Sequence, residues 1–208
     1  MKKTKRSKKS KSWVIKQHRD QFYKKSKTLG YRSRSAFKLI ELDEKFKFIK
    51  NNSNLVDIGA SPGGWSQVAS KKIQQGKILS LDIKEMQKIK NVFFLKSNFL
   101  DKSTKDQILS FFKEKVDVII SDMAANTTGN KNLDCIRTNL LCAEVIDFST
   151  AILKEKGKVV AKLFMGEDFL EVKKLAKKKF KKIEFFKPES SRGESKETYI
   201  ICSILNTL

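Results

Sequence analysis

The sequence predicts an α/β fold: a mostly parallel seven-stranded sheet with helices on both faces and an antiparallel strand at one edge. Three observations carry this. From Asn54 onward, short apolar runs alternate with longer stretches of helical spacing, the pattern of strand–helix–strand units. The last two apolar runs are separated only by a short loop, which suits antiparallel pairing. The first strand runs into a glycine-bearing turn, at the end of the sheet where such folds bind ligands. A chain of 208 residues suffices for one domain with a full core.

Residues 1–12, MKKTKRSKKSKS, carry seven basic residues and no acid, and nothing apolar beyond Met1. They cannot bury a core and are expected to be a disordered basic arm. Residues 13–208 are expected to form a single domain, ordered from near Trp13, with residues 13–50 as an N-terminal helical segment. Within it SRSAFKLIELDEKFKFI reads as a helix. Leu39, Leu42, Phe46 and Ile49 make one apolar stripe, Ser33 or Ser35 is the candidate cap, and Lys38 stands at the stripe's flank.

NLVDIGA is then the first strand, WSQVASKKI a helix, GKILSLDI the second strand and NVFFLKS the third. A helix around residues 103–114 precedes VDVIISD, the fourth strand. A long helix from Leu133 to Leu153 leads to GKVVAKLF, the fifth. After the helix EDFLEVKKLAKKKF, the runs IEFFK and TYIICSIL close the sheet.

The formal net charge is +22, and it is uneven: residues 1–34 hold 14 lysines and arginines against one acid, Asp20. A polyanion is the natural partner. The basic arm lacks an apolar face, so nucleic acid is favoured over a membrane surface. Arg32 and Arg34, beside Lys38, are candidates for gripping RNA phosphates. The lysines of residues 173–179 read as a solvated helix face. No apolar run approaches the ~18 residues of a membrane span and no apolar signal core stands at the N-terminus, so a cytoplasmic protein is expected. Cys135, Cys142 and Cys202 read as thiols of a reducing compartment. His18 is the single histidine, so any general base must be Lys, Asp, Glu, Tyr or Cys, and no metal is expected.

Gly59, Gly63 and Gly64 in DIGASPGGWSQVA sit where the first strand turns into a helix. Glycine there allows close approach to a ligand, and the helix start offers free N–H groups. Asp82 ends the second strand, where an acid can accept from ribose hydroxyls. A nucleoside-containing cofactor is implied. Ser61-Pro62 breaks the GxGxxG dinucleotide pattern, which disfavours a nicotinamide-dependent oxidoreductase, and S-adenosylmethionine, with no phosphate to cradle, fits better. Trp65 reads either as a wall of that pocket or as a helix–sheet core residue.

Asp122 and Lys162 fall near the ends of adjacent strands, beside the cofactor turn, and Glu197 begins the last strand. Taken singly, Lys162 reads equally as a lysine reaching solvent, Asp122 as a helix cap and Glu197 as a surface residue. Jointly, DIGASPGGWSQVA, SDMAANTTG, the lysine of VVAKLF and the glutamate of SRGESKETYI resemble the FtsJ-like 2′-O-ribose RNA methyltransferases, over about Trp13 to Leu205.

That resemblance implies a Rossmann-like S-adenosylmethionine-dependent methyltransferase fold and a catalytic tetrad of Lys38, Asp122, Lys162 and Glu197. Cofactor contacts are implied for Gly59, Gly63, Trp65, Asp82, Asn98 and Asp122. The family usually has an aspartate where this chain has Asn98, which keeps a carbonyl acceptor but loses its charge. The implied reaction is methylation of a uridine ribose in large-subunit ribosomal RNA, by a monomer acting on the RNA or the large subunit. The alternatives are the same chemistry on tRNA or another RNA, and a non-catalytic RNA-binding assembly factor. Burial and Lys38 favour a neutral Lys162 that takes the 2′-hydroxyl proton, whereas Asp122 and Glu197 favour a charged Lys162 that only orients the hydroxyl.

Overall fold

The computed structural model describes residues 20–166 and 168–206. The arm of residues 1–12, Trp13 and His18 lie outside them. Two helices lead the chain: α1, Gln21–Thr28, and α2, Ser35–Phe46. Asp20 caps α1 by accepting from Phe22 N and Tyr23 N, at 3.0 and 3.1 Å. The start of α2 has no side-chain cap; Ser33 and Ser35 instead bond each other at 2.6 Å. Buried Asp43 holds the end of α2, accepting from Phe48 N and Ile49 N.

The remaining elements alternate as the apolar runs predict: β1, Leu55–Ile58; α3, Gly64–Lys72; β2, Ile78–Asp82; β3, Phe93–Lys96; α4, Lys102–Phe112; β4, Val116–Ser121; α5, Lys131–Ile152; β5, Leu153–Phe164; α6, Phe169–Lys179; β6, Phe180–Phe186; β7, Glu197–Leu205. They form one seven-stranded sheet in the order β3-β2-β1-β4-β5-β7-β6. β1 to β5 are parallel, and β7 runs antiparallel to both β5 and β6. The antiparallel strand therefore sits one place in from the edge, because β7 inserts between β5 and β6 rather than adding outside them.

Period-two alternation along the strands builds two cores, one on each face. Val56, Ile119, Val159, Ala161, Leu163 and Ile200 pack under α4, α5 and α6. Leu55, Val118, Ile120, Val160, Tyr199 and Ile201 pack under α2 and α3. The same alternation explains a lysine inside the apolar run GKVVAKLF. Lys162 follows Val160 on the α2 face, but one step beyond the end of that core. Cys142 and Cys202 are buried thiols. Among the described residues, no helix is long and apolar enough to cross a membrane.

Candidate active site

Strand register assembles the tetrad. Ser121, the last residue of β4, pairs with Ala161, so Asp122 emerges beside Lys162. In the antiparallel pair, Lys162 stands opposite Tyr199 and Phe164 opposite Glu197. Glu197 and Tyr199 are two residues apart, hence on the same face as Lys162, the face covered by α2. Lys38, at the flank of the α2 stripe, completes the group from above.

The resulting contacts are close. Lys162 Nζ lies 2.7 Å from Asp122 Oδ1 and 3.7 Å from Glu197 Oε2, and donates to the Asp122 carbonyl at 2.9 Å. Lys38 Nζ lies 2.6 Å from Glu197 Oε1. Tyr199 Oη donates to Asp122 Oδ1 at 2.6 Å, and Ser191 Oγ donates to Glu197 Oε1 at 2.7 Å. Side-chain exposure is 9% for Lys162, 10% for Glu197, 12% for Lys38 and 17% for Asp122. Charges this deep are tolerable only as a compensated set, since removing one partner strands another in low dielectric.

The two lysines and two carboxylates offset one another. Burial alone would push the Asp122 carboxyl up, but the charges of Lys162 and Lys38, with hydrogen bonds from Lys162 and Tyr199, hold it below the usual carboxylate value. Burial would also lower Lys162, yet Asp122 and Glu197 outweigh it and hold the ammonium above the usual lysine value. Both directions favour a charged Lys162. The Tyr199 phenol is pushed well up by burial and by the neighbouring carboxylates, so it stays a proton donor.

Asp122 also faces a cavity of about 670 Å³ at the C-terminal ends of β1, β2 and β4. Its wall includes Gly59, Asp82, Asn98, Met123 and Leu140. Gly59 has φ +81°, and a Cβ there would run into Met123. Asp82 accepts from Ser61 N at 2.9 Å and from Lys84 N at 2.8 Å, which fixes its carboxylate at the end of β2. Asn98 Oδ1 accepts from Leu100 N at 3.2 Å.

Gly63 and Trp65 do not line this cavity. Gly63, at φ +109°, makes the tight entry into α3 and packs against Arg32, Met86 and Ile89. Trp65 is 2% exposed; it donates to the Ser35 carbonyl at 2.8 Å and its ring meets that of Tyr199 at 5.6 Å. Of the two readings of Trp65, the structure selects the core residue. Arg32 and Arg34 are likewise committed internally. Arg32 donates to the carbonyls of Pro62, Gln87 and Lys88, and Arg34 binds Asp20 and the Ser190 carbonyl. Arg34, with Glu41 accepting from Glu189 N and Ser190 N, clamps the β6–β7 loop that supplies Ser191. Tyr199 was legible two positions after Glu197 on the same strand face. The Arg34 and Glu41 clamp leaves no signal in sequence.

The chain as a whole has counterparts among known proteins. Residues 31–204 match the model of the FtsJ-like methyltransferases. The chain is 49% identical over 196 residues to ribosomal RNA large subunit methyltransferase E of Pelagibacter ubique, covering 94% of this chain and 97% of that protein. It is 43% identical over 203 residues to the protein of that name in Rickettsia akari, covering 95% and 89%. The crystal structure of a ribosomal RNA methyltransferase from Plasmodium falciparum superposes with a TM-score of 0.74 at 31% identity, over 84% of this chain and 98% of that one. By the extent of these matches, the chain belongs to the FtsJ-like methyltransferase family.

Proposed function

We propose that the protein transfers a methyl group from S-adenosylmethionine to the 2′-oxygen of a uridine ribose in large-subunit ribosomal RNA. The observation that carries this is the buried Lys38–Glu197–Lys162–Asp122 cluster at the rim of the Asp82 cavity. The names of the relatives supply the RNA. We read it as a monomer acting in the cytoplasm, where its substrate is made. The arm of residues 1–12 is read as an RNA-contacting segment of an otherwise single domain.

The cavity fits the cofactor on its own chemistry. Asp82 would hold the ribose hydroxyls, the Asn98 carbonyl would accept from the adenine amino group, and the Asp122 carboxylate would offset the positive charge. When bound, the cofactor supplies an electrophilic methyl group on a sulfonium. The residues of the chain then have two tasks, orientation and proton management. The Lys162 ammonium, aimed by Asp122 and Glu197, orients the 2′-oxygen for in-line attack. Being already protonated, it is not the acceptor of the hydroxyl proton. The oxygen becomes a strong acid as its bond to carbon forms, and its proton then passes to Glu197 or to water. Lys38 holds Glu197 in place through the 2.6 Å ion pair.

Mapping ribose methylation on ribosomal RNA and tRNA from cells with and without the protein tests the assignment. Loss of one uridine methylation in large-subunit RNA is expected. A loss confined to tRNA would move the reaction to that substrate, and no loss anywhere would leave an RNA-binding factor.

A further inference from the structure

A second cavity, of about 360 Å³, lies where β6 ends and β7 begins. Met165, Phe169, Phe185, Phe186, Lys187 and Glu197 line it. The cluster thus sits between two cavities: Asp122 borders the first and Glu197 the second. We propose that this second cavity seats a nucleobase adjoining the methylated nucleotide, an inference that rests on the RNA methyltransferase reading above.

Three features point to a base. The first is aromatic surface. The rings of Phe169 and Phe185 meet at 4.9 Å, both are only partly buried, and Met165 beside them is 49% exposed. Aromatic faces take any base by stacking, and thioether sulfur packs well against rings.

Charge is the second. Lys173 Nζ stands 6.0 Å over the Phe185 ring, and Lys187 and Lys196 border the cavity. Lys187 is fixed by donating to the carbonyls of Gly193 and Ser195, so its ammonium is held at the rim. Phosphates on either side of a stacked base meet cations there. The third is continuity. Glu197 is shared by the cavity and the reacting cluster, so a strand that brings a ribose to Lys162 on the α2 face reaches this opening by passing round the end of the sheet. Ser195 Oγ accepts from Glu197 N at 3.2 Å and keeps its own proton for an acceptor on the base.

The test uses the full-length protein and a short single-stranded RNA with one uridine, carrying 2-aminopurine on its 5′ or its 3′ side. Stacking quenches 2-aminopurine emission, so the wild type is expected to quench it at one of the two positions. Phe169→Leu keeps apolar contact with the core but loses the ring face, and Met165→Glu changes an exposed side chain with little risk to folding. Both are expected to abolish the quench and raise the KM for RNA roughly tenfold while cofactor affinity is kept. Methyl transfer by the wild type without quenching at either position overturns the base pocket alone, as do variants that quench like the wild type. Absence of methyl transfer on any RNA overturns instead the reading on which it rests.

Discussion

Tyr199 Oη donates at 2.6 Å to Asp122 Oδ1, the same oxygen that lies 2.7 Å from Lys162 Nζ. One carboxylate oxygen thus accepts from two buried donors, which fixes both protons. Asp122 is held low and Lys162 high, so the pair is ionised across the whole neutral range. The sign follows from each shift. The Asp122 contribution is present above the ordinary carboxylate range and lost only as pH falls through its lowered value. The Lys162 contribution is present below the ordinary lysine value and lost only as pH rises through its raised one. The single-turnover rate is therefore expected to stay flat from about pH 6.5 to about pH 9. A tenfold rise per pH unit across that range would mean that Lys162 must lose its proton first, and the orienting role would be wrong.

Lys162→Ala removes the ammonium that aims the 2′-oxygen and leaves Asp122 and Glu197 with only Lys38 between them. Methyl transfer is expected to fall by more than about 100-fold. The Asp82 cavity is untouched by Lys162, so calorimetric titration is expected to return a near-normal cofactor affinity. Near-normal tritium transfer by the variant would contradict any role for this lysine in the reaction.

The four clustered residues were named from the family resemblance, and strand periodicity supported placing three of them together. Asp122 and Lys162 end adjacent parallel strands, and Glu197 starts an antiparallel one, so all three had to meet at one end of the sheet. Lys38 was legible only as a flank position of a helical stripe, and its partner followed from the resemblance. What the sequence left open depended on side-chain competition. Trp65 suits a pocket wall as well as a core position until Tyr199 and the Ser35 carbonyl claim it. Arg32 and Arg34 look like phosphate grips until backbone carbonyls from distant loops take their donors. The charge of Lys162 turns on four side chains at once, which no spacing rule encodes.

Asn98 tests a departure from the pattern that the family resemblance implies. Its Nδ2 donates to Asp101 Oδ1 at 3.3 Å, so a carboxylate at 98 would face a like charge. Asn98→Asp alone is expected to change cofactor affinity little, because the stronger charged acceptor is offset by Asp101. Combined with Asp101→Asn, it is expected to tighten binding by about 1 kcal/mol, roughly fivefold. A full gain in the single variant would show that Asp101 exerts no such effect.

Asp57, buried under the cofactor turn, donates no stability at neutral pH. Burial pushes its carboxyl up to about 7, against the hydrogen bond from Ser66, with Asp122 and Asp82 adding to the rise. The unfolded chain releases this proton near pH ~3.9. Between those values the native state binds more protons, so stability falls as pH rises and the cost is complete above about 7, with an upper limit of about 4 kcal/mol. Asp57→Asn is expected to flatten this decline, which urea midpoints measured from about pH 5 to about pH 8 would show. Parallel curves for variant and wild type would mean that Asp57 titrates normally.

Arg32 and Arg34 are engaged within the fold, and the seven basic residues of positions 1–12 are the densest run of cations in the sequence. Each phosphate neutralised adds about 0.7 to the slope of log affinity against log salt for a single strand. The full chain is expected to bind RNA with a steep slope, and a chain lacking residues 1–12 with a slope shallower by several such increments. Affinity at low salt should fall with it, whereas cofactor affinity should not move, since the described cavity wall runs from Gly59 to Glu144. Filter binding of both chains over a salt series measures this directly. Equal slopes would remove the arm from the RNA interface and leave the lysines around the tetrad to carry it.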